Sequence, residues 1–147
     1  MKECFDNPID SFSEEYRWLS NFYHAPIVYN GVRYSSTEVA YQAAKAIDDD
    51  TRARFVGLNS SAAKRLGREI HLRSDWDIVK DKVMYDVCLL KFTTHDDLKQ
   101  KLLATGEREL IEGNWWGDTY WGVCNGIGKN MLGQTLMKIR SEIRSVE

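Results

Sequence analysis

A chain of 147 residues has room for one domain with a single sizeable core, and 43% hydrophobic with 29% charged residues is ordinary globular usage, which excludes disordered and fibrous classes. A formal charge of −2 excludes a broad non-specific grip on nucleic-acid phosphates, although a local basic patch stays open. Met1 to Asp10 carries Glu3, Asp6 and Asp10 with no apolar run, and no stretch is long enough to span a bilayer, so the expected compartment is the cytoplasm.

In chain order, Ile27-Val28-Tyr29 and Val32-Arg33-Tyr34 flank Asn30-Gly31, a dipeptide that accepts positive φ at both turn positions and so predicts a tight hairpin. Ser35 to Glu38 reads as a capping box opening a helix through about Ala46. Asp50 to Val56 predicts a short helix, and Asn59-Ser60-Ser61 caps another that ends at Gly67. Ile78, Val79, Val83, Met84, Val87, Leu90 and Phe92 form a helical stripe over Asp77 to Phe92, continued by Leu98, Leu102 and Leu103. Arg108 to Glu112 suits a strand. Asn130 to about Val146 predicts a last helix with Met131, Leu132, Leu136, Met137, Ile139 and Ile143 inward. No linker or repeat interrupts the chain, so one domain over 1–147 is expected: α+β, mostly helical, with a small hairpin or sheet.

The three cysteines, Cys4, Cys88 and Cys124, are odd in number and far apart, which suits reduced thiols and offers no zinc site. His24, His71 and His95 show no metal spacing, and no metal or cofactor is expected. Cys124 beside the aromatic segment is a weak nucleophile candidate.

Glu38 and Lys45 stand seven residues apart and share a helix face, with Tyr41 and Gln42 between them. As the last residue of a capping box, Glu38 would instead bond the Ser35 amide, and the stripe would face solvent. Asp118 lies in Gly113 to Gly122, which holds three of the five tryptophans. It is either a partly desolvated carboxylate or a turn aspartate bonding its own backbone. Trp76 precedes a helix, where it could stack on a planar base or anchor the core. Lys64, Arg65, Arg68 and Arg73 gather around Gly67 and suit a phosphate, or form a solvated face.

Trp18 to Tyr23, Glu38 to Lys45, Ala63 to Arg68, Asp75-Trp76, Lys91-Phe92, Leu103 to Gly106, Asp118 to Gly122 and Gly128 to Gly133 resemble, in order, the motifs of the YbiA/NADAR family. The resemblance runs from about residue 16 to 140 and implies a YbiA-like fold. Members similar to YbiA hydrolyse the N-glycosidic bond of early riboflavin-pathway intermediates, and others remove ADP-ribose from guanine bases. Carried over by motif, the functional acids fall on Glu38 and Asp118 and the stacking tryptophan on Trp76. Lys45 suits a Schiff-base route at ribose C1, because a ribosylamine can open to an imine. The resemblance also places Asn21, Tyr41, Arg68 and Trp121 among the substrate contacts. The expected partner is a small phosphorylated ribosyl compound, with ADP-ribosylated guanine in nucleic acid as the alternative and a non-catalytic nucleotide-binding module as the rival class. The tryptophan-rich loop before Asp118 departs from the riboflavin-pathway members.

Overall fold

The computed structural model describes residues 7–146; Glu3, Cys4 and Asp6, which enter the reading of the amino terminus, lie outside them. The elements are a 3-10 helix (Glu14–Leu19), strands β1 (Ile27–Tyr29) and β2 (Val32–Tyr34), and helices α1 (Thr37–Ala44), α2 (Asp49–Ala53), α3 (Ser60–Gly67), α4 (Trp76–Thr94) and α5 (Asp96–Ala104). Strands β3 (Gly113–Asn114) and β4 (Val123–Cys124) and helix α6 (Met131–Ser145) follow. The class is α+β with helix predominating, as the sequence predicts. Among the described residues no helix is long and apolar enough to cross a membrane. Contacts group the chain into two units, one from Asn21 to His95 and the other made of the chain up to Ser20 and from Asp96 onward.

In the Asn21 to His95 unit, β1 and β2 pair antiparallel with Ile27 opposite Tyr34. Asn30 and Gly31 take φ of 51° and 81°, the two positive values that the tight turn demands. Helix α1 packs on both α3 and α4, and all eight of its residues are buried. A helix of this length is unstable alone, so its order comes from that packing. Asn59 caps α3 by accepting the Ala62 N–H at 2.9 Å. Gly67 is the last residue of α3 and keeps helical geometry, so it is not a left-handed cap.

Helix α4 turns Val83, Met84, Val87, Cys88, Lys91 and Phe92 inward, pairs that recur once per turn. Ile78, expected in that stripe, is 84% exposed, because the stripe starts a turn later. Lys91 is the unexpected member of this face. It is fully buried, its Nζ lies 5.7 Å from the Tyr23 ring centre and 5.2 Å from that of Phe92, and burial lowers its pKa to about 8.

In the other unit, the strand expected over Arg108 to Glu112 reduces to a parallel bridge. Ile9 donates to Glu109 O and accepts from Ile111 N–H, both at 2.8 Å. The short β3 pairs parallel with β4 just beyond it. Asn130, at φ 57°, opens α6 and ties it to this segment: Oδ1 accepts the Glu112 N–H and Nδ2 donates to Leu110 O, each at 2.9 Å. Leu132, Leu136, Ile139 and Ile143 form the buried face of α6, while Met131 and Met137 are only half-buried.

Asn130→Gly keeps the left-handed backbone comfortable and removes only these two hydrogen bonds. Removing the donor to the buried Leu110 carbonyl and the acceptor from the half-buried Glu112 amide should cost about 1–3 kcal/mol and lower Tm by roughly 5–10 °C. A thermal melt with Tm unchanged would contradict this role for Asn130.

Candidate active site

The structure replaces the capping-box expectation for Glu38. The N-cap is Ser36, whose Oγ accepts the Val39 N–H at 3.3 Å, so Glu38 is the second helical residue and Val39 holds the capping-box position. Glu38 projects inward. It is 8% exposed, and its Oε2 accepts Gln42 Nε2–H at 2.7 Å, one turn along the same face. The polar stripe on α1 lies inside the protein, not in solvent.

Asn21 holds the first turn of α1. Its carbonyl accepts the Glu38 N–H at 3.1 Å, its Oδ1 accepts the Thr37 hydroxyl at 3.0 Å, and its Nδ2 points at Met84 Sδ at 3.2 Å. These polar atoms engage the protein, which places Asn21 as a brace between α1 and α4.

Lys45 is the C-cap of α1 and is half-buried. Its Nζ lies 5.5 Å from the Tyr41 ring centre and 6.0 Å from that of Trp76. The two rings meet edge to face at 5.1 Å, and both are buried, so Trp76 packs in the interior beside the amine. Burial lowers the Lys45 pKa, Glu38 opposes that shift, and Lys64 and Arg68 add to it. Arg73 is withdrawn from the basic cluster by a bidentate pair with Asp75 at 2.6 and 3.0 Å. Lys64 and Arg68 remain within electrostatic reach of Lys45, with Lys64 Nζ 5.6 Å from the Phe22 ring centre. Nearby, an open recess of about 200 Å³ is lined by Phe22, His24, Ser35, Ser36 and Ser60 among others.

Asp118 and Trp121 belong to the unit that contains α6. Asp118 Oδ1 accepts the N–H groups of Tyr120 and Trp121 at 3.1 and 2.9 Å, the turn-aspartate pattern. Asn114 staples the loop by accepting Asp118 N–H at 3.0 Å and donating to Asp118 O at 2.9 Å. Gly122 is required by close approach, since a Cβ there would stand 2.1 Å from Glu112 O. Trp115 is 85% exposed and meets Trp116 edge to face. Among the described residues no group of His, Cys, Asp and Glu gathers to hold a metal ion.

The structure thus brings Glu38, Tyr41, Lys45 and Trp76 together, with Asn21 behind them and Arg68 in their electrostatic field. Gln42, to which the sequence assigns no role, joins them. Its place four residues after Glu38 was the available signal.

The NADAR domain family model matches residues 7–144. The chain is 37% identical over 140 residues to N-glycosidase Npun_R5314 of Nostoc punctiforme, spanning 90% of this chain and 89% of that protein. The NMR structure of the E. coli protein YbiA matches with a TM-score of 0.86 at 35% identity, covering 97% of this chain and 89% of the other. Riboflavin biosynthesis protein VVA0006 of Vibrio vulnificus is 36% identical over 135 residues, which are 89% of this chain and 36% of that one.

The electrostatics of Lys45 have a direct readout in its rate of amine labelling against pH, followed by peptide mass spectrometry. The labelling midpoint should lie below that of an ordinary lysine. Arg68→Ala removes a repelling cation and should raise it, whereas Glu38→Gln removes an attracting anion and should lower it further. Shifts of the opposite sign would contradict the arrangement.

Proposed function

The chain belongs to the NADAR family, and on that footing we infer that it is a hydrolase of N-glycosyl compounds whose substrate is a phosphorylated ribosyl compound, a ribosylamino-pyrimidine phosphate before any other. The observation that carries this reading is the buried Glu38, bonded by Gln42 and followed two turns later by Lys45 with its pKa lowered by burial. A relative of similar length is named an N-glycosidase, and a longer one is named for riboflavin biosynthesis. The enzyme reading displaces the non-catalytic binding module.

Cleavage of a ribosyl C1–N bond builds positive charge at C1, and a carboxylate beside that carbon gains strength in the transition state. Glu38 is assigned that task. Lys45 is assigned the nucleophile's role, because burial shifts its amine toward the neutral, reactive form. The ribosylamine opens to an imine and the Lys45 amine adds at C1. The bond from C1 to the base nitrogen breaks as that nitrogen takes a proton. Water then hydrolyses the lysine imine, restoring the amine and releasing ribose 5-phosphate. Trp76 and Tyr41 supply an aromatic wall for a planar base, and Arg68 with Lys64 supplies charge for the phosphate. Asp118 is the candidate second acid, to be tested by Asp118→Asn, and Trp121 a candidate substrate contact.

A second reading, removal of ADP-ribose from guanine, is favoured by one observation: Lys64 and Arg68 both act on Lys45, and two cations suit a diphosphate.

Glu38→Gln should reduce ribose 5-phosphate release by at least about 100-fold with the circular dichroism spectrum unchanged. A wild-type rate would contradict the catalytic role. Parallel assay of ADP-ribosylated guanine selects the sugar: turnover of that compound alone would replace the pyrimidine reading by the second one. In either case Arg68→Ala should raise KM for the phosphorylated substrate and leave the unphosphorylated nucleoside unaffected; equal effects on both would contradict a phosphate contact.

A further inference from the structure

Gln42 is 5% exposed, and its two amide ends face opposite ways. Nε2 donates to Glu38 Oε2 at 2.7 Å. Oε1 is the buried side-chain polar atom that finds no hydrogen-bond partner among the described residues. Its neighbour is Gly67 of α3: a Cβ built there would stand 1.9 Å from Oε1 and 2.9 Å from Cδ. The bare Cα of Gly67 therefore closes the space behind the amide, at best through a weak C–H to oxygen contact.

Backbone conformation does not explain the glycine, since Gly67 is helical and its φ is not positive. Alanine would be the better helix former at this position. The space is what only glycine leaves. The orientation of the amide also has a reason, because an ionised carboxylate accepts hydrogen bonds and cannot donate one. Turning the amide would set two acceptor oxygens against each other beside Glu38.

We propose that Gln42 is a positioning residue for Glu38 and that Gly67 is its stop, the absent side chain letting α3 seat the amide with its N–H end against Oε2. This rests on the reading of Glu38 as the catalytic carboxylate. The N–H donated to Oε2 fixes the carboxylate in one rotamer and favours its ionised form. A methyl group at Gly67 must displace the Gln42 amide, and with it the N–H end that meets Glu38 Oε2. Other titratable groups in reach of Glu38 include Lys45 on its own helix and Cys88 on α4, and Lys64 and Arg68 act through Lys45. None of them is altered in the variants below.

The test is a double-mutant cycle of Gly67→Ala and Gln42→Ala, read on ribose 5-phosphate release from the ribosylamino-pyrimidine phosphate. Each single variant should lower kcat about tenfold or more with KM little changed. Each should also move the pH limb that reports Glu38 ionisation upward. The double variant should be no slower than Gln42→Ala alone, because the methyl group then has nothing to displace. Losses that multiply, or a Gly67→Ala variant with wild-type kcat and pH profile, would overturn the proposal. Should Gly67→Ala fail to fold, Gln42→Leu decides with Gly67 intact: reduced kcat supports the positioning role and wild-type kcat overturns it. Glu38→Gln in the same assay separates the two claims. Wild-type activity there removes the catalytic reading itself, whereas its loss beside unaffected Gln42 and Gly67 variants removes only the positioning role.

Discussion

The complete burial of helix α1 is the constraint from which the site follows. Eight residues with no solvent face must place every polar side chain inside the protein. Glu38 and Gln42 meet across one turn through the Nε2 end of the amide, and Asn21 secures the start of the helix through its carbonyl and amide. A buried carboxylate that loses a hydrogen-bond donor is destabilised, so the Gln42 contact serves the packing of α1. The alanines at 40, 43 and 44 let neighbouring helices come close on the remaining faces, and the glycine at 67 completes that approach on α3.

The same constraint shapes the chemistry. Lys45 sits where α1 leaves the interior, half-buried, and far enough in for burial to weaken its hold on a proton. Glu38 pulls the other way, and Lys64 and Arg68 tilt the balance back toward the neutral amine. A single eight-residue helix with the residue that caps it thus carries both an acidic and a nucleophilic candidate, the amine's pKa lowered by burial first and then by Lys64 and Arg68. Tyr41 and Trp76 exclude water from one side of the amine, which strengthens each of these charge effects.

Local chemistry made part of this readable from sequence. The Asn30-Gly31 turn, the Asn59 cap and the extent of the last helix depend on residues close in the chain, and they stand where the sequence places them. Glu38 is the instructive failure. The Ser35 to Glu38 spacing matches a capping box, yet Ser36 takes the cap, and one residue of register converts an N-terminal staple into a buried carboxylate. Gly67 ends α3 where the sequence places it, and its contact with Gln42 is what the sequence does not show. Lys91, which the sequence shows only as part of a family motif, lies wholly inside with aromatic rings beside its amine. Each of these depends on which elements pack together, and helix periodicity carries no information about that. Asp118 shows the converse: its turn pattern was one of two local readings, and the hydrogen bonds to Tyr120 and Trp121 follow it.

Cleavage through the Lys45 amine, on the helix that carries Glu38, leaves a trace that can be trapped. The most direct measurement is turnover of the ribosylamino-pyrimidine phosphate quenched with borohydride, followed by peptide mapping of the intact protein. Peptide mapping should then show the mass of a reduced ribose 5-phosphate adduct on Lys45, absent from Glu38→Gln. Product release at the wild-type rate with no adduct on Lys45, or with the adduct on another lysine, would contradict it.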